Sequence, residues 1–200
     1  DPENRLWWRF DIRRLEAESL RDTLLATSGL LDRRSGGSML HVANRQFFFD
    51  HTSIDKTNYK NHRRSVYLPV VRNNLYEMFQ LFDYNDASVL NGNRNTSTVA
   101  PQALFLMNSS FMQEVTEQLA RQLKSSTSFA QTITTLYQRI YARSPSPAEL
   151  QRCQRYLDAF RNKPLVNTTD PAAVPMDPEL RAWQSLCHVL LMSNEFIYVK

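Results

Sequence analysis

Apolar residues recur at helical spacing through most of the chain. Ile12, Leu15, Leu20 and Leu24 predict a first helix from Asp11 to Ser28. Gly29 is its stop, because glycine accepts the left-handed backbone that ends a helix. Leu75, Met78, Phe79 and Phe82 predict a second helix over Asn73 to Phe82, and Pro101 opens a short one through Met107. Beyond that the pattern is plainly helical. Ser110-Phe-Met-Gln113 and Ser128-Phe-Ala-Gln131 read as capping boxes, the first leading into Val115, Leu119 and Leu123 and the second into Ile133, Leu136, Tyr137 and Ile140. Ser146-Pro-Ala-Glu149 combines a cap, a first-turn proline and a capping glutamate before Leu150, Cys153, Leu157 and Phe160. Residues 128–161 should therefore form an antiparallel pair of helices with a short loop. After a proline-bearing connection from Asn162 to Val174, Asp177-Pro178-Glu179 starts a last helix that ends near Phe196.

Two stretches break the helical pattern. Leu6-Trp7-Trp8-Arg9-Phe10 is dense in aromatic rings and reads as a staple onto the core. From residue 36 to 70 a Gly36-Gly37 turn is followed by Phe47-Phe48-Phe49 and Ser65-Val66-Tyr67-Leu68, whose composition suits short strands. A small hairpin there would be marginal alone and must lie on the helices. The expected class is mainly α: about six helices in one packed domain spanning 1–200, with an irregular or β excursion over 36–70.

Composition narrows the chemistry. The chain has 200 residues, 42% of them hydrophobic, and only four glycines. Gly29, Gly36, Gly37 and Gly92 cannot supply a phosphate-binding loop, a dinucleotide turn or a nucleophile elbow, each of which needs glycines at fixed spacing. No apolar run approaches the roughly 20 residues of a membrane span. The formal charge of +4 is uneven: residues 1–72 carry 13 Lys and Arg against 9 Asp and Glu, and the remainder is balanced. Arginine exceeds lysine by 19 to 5, which favours ion pairing and stacking over a uniformly wet surface. No dense basic stripe or motif points to nucleic acid.

Cys153 and Cys187 belong to no metal-binding spacing and, with no CxxCH, the chain itself cannot hold a c-type haem. Each lies on the apolar side of a late helix. A disulfide between them is open, and two buried small hydrophobes is the preferred reading. His188 beside Cys187 points about 100° away on a helix, so the two do not make a catalytic pair. His51 and His62, with Asp50 and Asp55, could form a weak metal site, although solvated loop residues explain them more simply. The oxygen-rich loop from Asp83 to Ser97 lacks the order of ligands that a calcium loop requires. No cofactor or metal is expected in this chain.

One constellation stands out: Arg13, Arg14, Glu18, Arg21 and Asp22 on the first helix, with Arg63, Arg64, Arg72, Arg94 and Asn95 from distant segments. On that helix Arg14 and Glu18, four apart, attract, whereas Glu18 and Asp22 repel unless Arg21 or an outside cation intervenes. The set reads as a polar network that ties the irregular middle to the first helix. Its rival is an anion-binding groove for a sulfated, phosphorylated or carboxylated ligand, with Glu18 or Asp22 as acid or base in an enzymatic version.

Several strings carry a family likeness. They are Asn4-Arg-Leu-Trp-Trp-Arg9, Arg13-Arg-Leu-Glu-Ala-Glu18 with Arg21-Asp22, Gly36-Gly37, Arg64-Ser-Val-Tyr67, Leu81-Phe-Asp83, Ser97-Thr-Val-Ala-Pro-Gln-Ala-Leu104 with Asn108, and Ser193-Asn-Glu-Phe196. With them the chain resembles the planctomycete PSD-type C-terminal domain of unknown function, found in surface or periplasmic proteins that carry a cytochrome c domain. Ser38 stands where typical members have proline. The resemblance implies an extracytoplasmic setting, which would permit a disulfide. It also implies a longer parent, agreeing with a start at Asp1-Pro2 without a signal-like stretch, and haem only in a neighbouring domain. No catalytic residue can be carried over from the family. The expected role is a non-catalytic interaction or structural module, its partners being other domains of the parent or cell-envelope proteins; the alternative is action on an acidic or sulfated polysaccharide.

Overall fold

A computed structural model describes residues 1–40, 42–43, 57–71, 74–86, 88–123, 128–161 and 177–199. Among these the chain is mainly helical: α1 (Ala17–Ser28), α2 (Glu77–Leu81), α3 (Ala100–Asn108), α4 (Ser110–Leu123), α5 (Phe129–Tyr141), α6 (Pro147–Arg161), α7 (Pro178–Leu191) and α8 (Asn194–Ile197). Two short strands, β1 (Arg13–Arg14) and β2 (Tyr198–Val199), pair antiparallel with Arg13 opposite Val199 and Arg14 opposite Tyr198.

The described two-stranded pairing therefore joins the two ends of the chain, and the described part of 36–70 contributes only an isolated parallel bridge, Arg63 to Asp32. Ser65–Tyr67 forms a single 3-10 turn, correcting the strand expected there. Its backbone is held by side chains, since Asp22 accepts from the Ser65 amide at 2.8 Å. Phe47–Phe49 lies outside the described residues, as do the connection over 162–174 and His41, His51, Asp50 and Asp55.

Helix α1 begins at Ala17 rather than Asp11. Residues 13–15 are committed to the far end of the chain, where β1 pairs with β2 and the Leu15 amide donates to the Ile197 carbonyl at 2.8 Å. Ile12 consequently faces solvent, while Leu20, Leu24 and Leu25 are buried. Gly29 ends the helix at φ +74°, donating to the Ala26 carbonyl.

The caps fall where local chemistry allows. Ser146 and Glu149 form a reciprocal pair: the Ser146 amide donates to Glu149 at 2.7 Å, and the Glu149 amide donates back to Ser146 Oγ at 3.3 Å. Asp177 accepts from the Glu179 amide at the start of α7. At α4 the cap lies one residue earlier than the sequence suggests, for it is Ser109 Oγ that accepts from the Met112 amide. Ser128 precedes α5 without a side-chain cap. The last helix is two helices, because Ser193 interrupts it and caps α8 through the Phe196 amide.

Helix α4 is central, packing on α7 and α1, and α7 packs in turn on α6. Val115, Leu119 and Ala120 of α4 are fully buried with Leu136, Leu157 and Leu191 from α5, α6 and α7. One connected apolar cluster runs from Ala17 to Ile197, and burial of this kind is the main favourable term in folding.

Candidate functional site

Of the charged residues singled out around α1, Arg14, Glu18, Arg21, Asp22 and Arg94 are brought together and partnered. Arg21 is fully buried and directs its fork at backbone: Nη1 donates to the Arg63 carbonyl at 2.7 Å and Nη2 to the Asn61 carbonyl at 2.6 Å. Its guanidinium also lies 5.7 Å over the Tyr76 ring and 3.6 Å from Asp22. Asp22 accepts from both the amide and the hydroxyl of Ser65. Irregular backbone must satisfy its carbonyls once buried, and one arginine does so here for two carbonyls of a single segment.

Arg14 does the same at the next site. From β1 it donates to the Ser97 carbonyl at 2.5 Å, the Phe82 carbonyl at 3.2 Å and Asp83 at 2.7 Å. Asp83 accepts further from the Ser97 amide at 2.8 Å. Burial pushes the Asp83 carboxyl up, but the Ser97 amide and the Arg14 guanidinium outweigh it and hold the group below its ordinary range. The loop over 83–97 is thus organised by arginine, and among the described residues no cluster of His, Cys, Asp and Glu could hold a metal ion.

Glu18 pairs with Arg94 in a two-pronged fork, at 2.6 and 2.7 Å, with Glu16 at 3.3 Å from the same guanidinium. Burial raises the Glu18 pKa, and the Arg94 hydrogen bonds more than reverse that, leaving it lowered. The expected attraction between Arg14 and Glu18 along a helix is absent because Arg14 is in β1. The Glu18–Asp22 repulsion is met by Arg94, arriving from 76 residues away, and by the Ser65 donors. Arg64 and Asn95 do not join the network; both are exposed. Arg72 lies outside the described residues. Arg63 holds the glycine turn, donating to the Gly36 and Gly37 carbonyls while stacking 4.5 Å over Tyr67.

Two concavities flank this network. The smaller, of about 880 Å³, runs along the outer side of α1 and is lined by Glu18, Asp22, Arg33, Arg64 and Tyr84 among others. The larger, of about 1160 Å³, has Tyr59, Tyr76, Leu81, Phe105 and Phe111 in its walls, with Lys60, Glu77 and Glu114 also lining it. His62, expected as a loop residue, sits there and bonds Glu114 on α4 at 2.9 Å. The sequence concealed this cleft because its wall is assembled from segments far apart in the chain, residues 57–62, 76–81 and 101–114, whose local signals say nothing of one another. A polar stretch after residue 57 followed by Phe105 and Phe111 was the available signal.

The aromatic segment at residues 6–10 is a correction. It is exposed rather than stapled to the core: Trp7 is 86% and Trp8 63% accessible, with Leu6 and Phe10 similarly open. The reason is local. Asn4 donates to the Arg9 carbonyl and to Asp11, Asp1 accepts from the Leu6 amide, and Trp8 Nε1 donates to the Asp1 carbonyl. These bonds close a compact loop on itself, with Asn4 at φ 52° and Trp7 at φ 55°, and the rings are left outside.

Cys153 and Cys187 are both buried and both free, so the bridge left open by the sequence is not formed. Burial raises the pKa of each thiol. The Tyr137 hydroxyl is 3.9 Å from Cys153 Sγ. His188 Nε2 donates to the Leu106 carbonyl at 2.7 Å, tying α7 to α3. A further ion pair went unnoticed in the sequence: Arg143 bridges Glu149 and Glu195 at 2.7 and 2.6 Å, fastening the α5–α6 turn to α8.

Fold and site together define a mainly α-helical domain whose conspicuous charges brace its irregular segments. The chain matches the family model PSD1, described as a protein of unknown function (DUF1553), over residues 1–157, and it belongs to that family. The Ser193–Phe196 string lies beyond the matched region. No curated protein and no solved structure matches the chain.

Proposed function

We propose that this domain is a non-catalytic interaction module of a longer, extracytoplasmic protein, with any c-type haem confined to a neighbouring domain. The observation that carries this reading is the commitment of the acidic groups around α1. Glu18 is locked by Arg94 and Asp22 by Ser65. Glu18, held by Arg94 below the usual carboxylate range, is a poor proton donor at neutral pH and a weak base. Among the described residues no helix is long and apolar enough to cross a membrane. Partners would be other domains of the parent or cell-envelope proteins. The test is calorimetric titration of the chain against the parent's adjacent domains supplied in trans. Saturable binding is expected, and no heat at any ratio would dismiss the module reading.

A specific feature favours the second reading, an acidic or sulfated polysaccharide. Arg33 and Arg64 are exposed and line the same groove on α1. Guanidinium groups suit sulfate and carboxylate because their planar forks bond in pairs. Retention on a sulfated polysaccharide resin should fall when both are changed to glutamate; equal retention of wild type and Arg33→Glu/Arg64→Glu would end this alternative.

A further inference from the structure

We infer that the exposed loop at residues 5–13 docks into the 1160 Å³ cleft of a second copy of this chain, the exchange being reciprocal about a two-fold axis. This rests on the interaction-module reading and specifies one partner for it. Leu6, Trp7, Trp8, Phe10 and Ile12 are each at least 60% accessible. They are presented on a loop closed by its own hydrogen bonds from Asp1 and Asn4. Exposed apolar patches on a folded domain mark contact sites, and tryptophan and arginine are among the residues enriched where interfaces draw their energy.

The choice of a second copy follows from three observations. The cleft is mixed, with Tyr59, Leu104, Phe105 and Phe111 offering apolar wall beside polar residues such as Asn58 and Asn108. Its volume exceeds the roughly 300–1,000 Å³ of an ordinary ligand pocket. Charge is complementary. Arg5, Arg9 and Arg13 have no carboxylate partner among the described residues, and two of them lie over rings of the loop itself, Arg9 over Trp8 at 5.1 Å and Arg13 over Phe10 at 5.6 Å. The cleft offers Glu77 and Glu114 against one lysine, Lys60, with His62 already bonded to Glu114.

Leu104, in the cleft wall, is 55% accessible and so open to an entering chain. Each copy carries both the loop and the cleft, so two copies can exchange loops reciprocally, the isologous contact of a two-fold pair. Three rings at about 150–250 Å² each, with the cleft walls they cover and counted twice, reach the roughly 1,200–2,000 Å² of a stable pair.

Sedimentation velocity of the full chain over a micromolar to millimolar series tests this, with circular dichroism confirming that each variant is folded. Wild type should dimerise. Trp7→Ala/Trp8→Ala, both at exposed positions, should raise the dissociation constant by at least about 100-fold, the scale of two interface hot spots. Leu104→Arg, blocking the cleft from the half-exposed side, should do the same. An equimolar mixture of the two variants retains one loop and one open cleft that match. It should associate more tightly than either variant alone and less tightly than wild type. A monomeric wild type, unchanged association of the tryptophan variant, or a mixture that behaves as the sum of its parts would each overturn the proposal. A monomeric wild type that still binds the parent's adjacent domains would overturn only the second-copy assignment and leave the module reading standing.

Discussion

Two regions of the molecule solve the same problem by different means. In the second half, α4, α6 and α7 bury continuous apolar faces against one another, and their backbone groups are satisfied within each helix. In the first half the elements are short and the connecting backbone is irregular, so carbonyls at Asn61, Arg63, Phe82 and Ser97 have no ladder to join. Arg14 and Arg21 reach those carbonyls instead. A helix bundle is held by area, whereas irregular chain is held by a few donors that each satisfy several acceptors. That second device concentrates stability in single residues.

The sharpest break of this contrast is Arg21→Met. It leaves the Asn61 and Arg63 carbonyls without their donor and takes the guanidinium away from beside Asp22, and losing one partner of a buried charged cluster costs about 3–5 kcal/mol. Urea denaturation measures it; a loss below about 1 kcal/mol would mean that water replaces the guanidinium and that both halves tolerate deletion alike. In the bundle, Leu119→Ala on α4 should cost about 3 kcal/mol through lost burial and a cavity. The same urea measurement reads it, and a loss below about 1 kcal/mol would mean that the site collapses around the smaller side chain.

Gly29→Ala comes next, at about 1–2 kcal/mol for a side chain forced into the left-handed region. The added methyl would also meet Gln122 Nε2 at 2.8 Å, disturbing the bond that this amide donates to the Ser28 carbonyl. Thermal unfolding resolves a shift of this size.

Acid should sharpen the contrast from the helical side. The Arg143 guanidinium, helped by the Ser146 amide, holds Glu149 down to about 2 from an ordinary 4.5. A depressed carboxylate contributes stability above its unfolded pKa and loses it as the pH falls through the folded one. The advantage of wild type over Arg143→Met should therefore be constant above about 4.5 and shrink toward about 2, read as the difference in urea midpoints. An advantage that stays constant down to the acid limit would show that this pair is not what the acid titrates. The smallest effect concerns the thiols. Cys153 and Cys187, buried and free, should resist alkylation in the native protein and both react in denaturant, and a native count above zero would argue against their burial.

Much of the bundle was legible in sequence because its signals are local. The Ser146–Glu149 cap, the Gly29 stop and the spacing of Ile133, Leu136 and Ile140 act within a turn or two of their own position. The first helix was misjudged for the opposite reason: Ile12 and Leu15 fit the helical period, yet β1 is claimed by Tyr198–Val199 at the other end of the chain. The aromatic loop was misjudged because composition says what a ring prefers and not whether any core lies within its reach.

The amino-acid sequence alone determined the helical class, the Ser146 and Asp177 caps, the Gly29 stop and the family likeness, since periodicity and capping depend on neighbours three or four residues apart. It also singled out the arginines and carboxylates near α1 as one set. Only the tertiary structure decided their pairing, sending Arg14 to Asp83 and Arg94 to Glu18 and leaving Arg64 in solvent. Which carbonyl a guanidinium reaches depends on where irregular backbone comes to rest, and that is settled by packing across 40 to 80 residues rather than by any local preference.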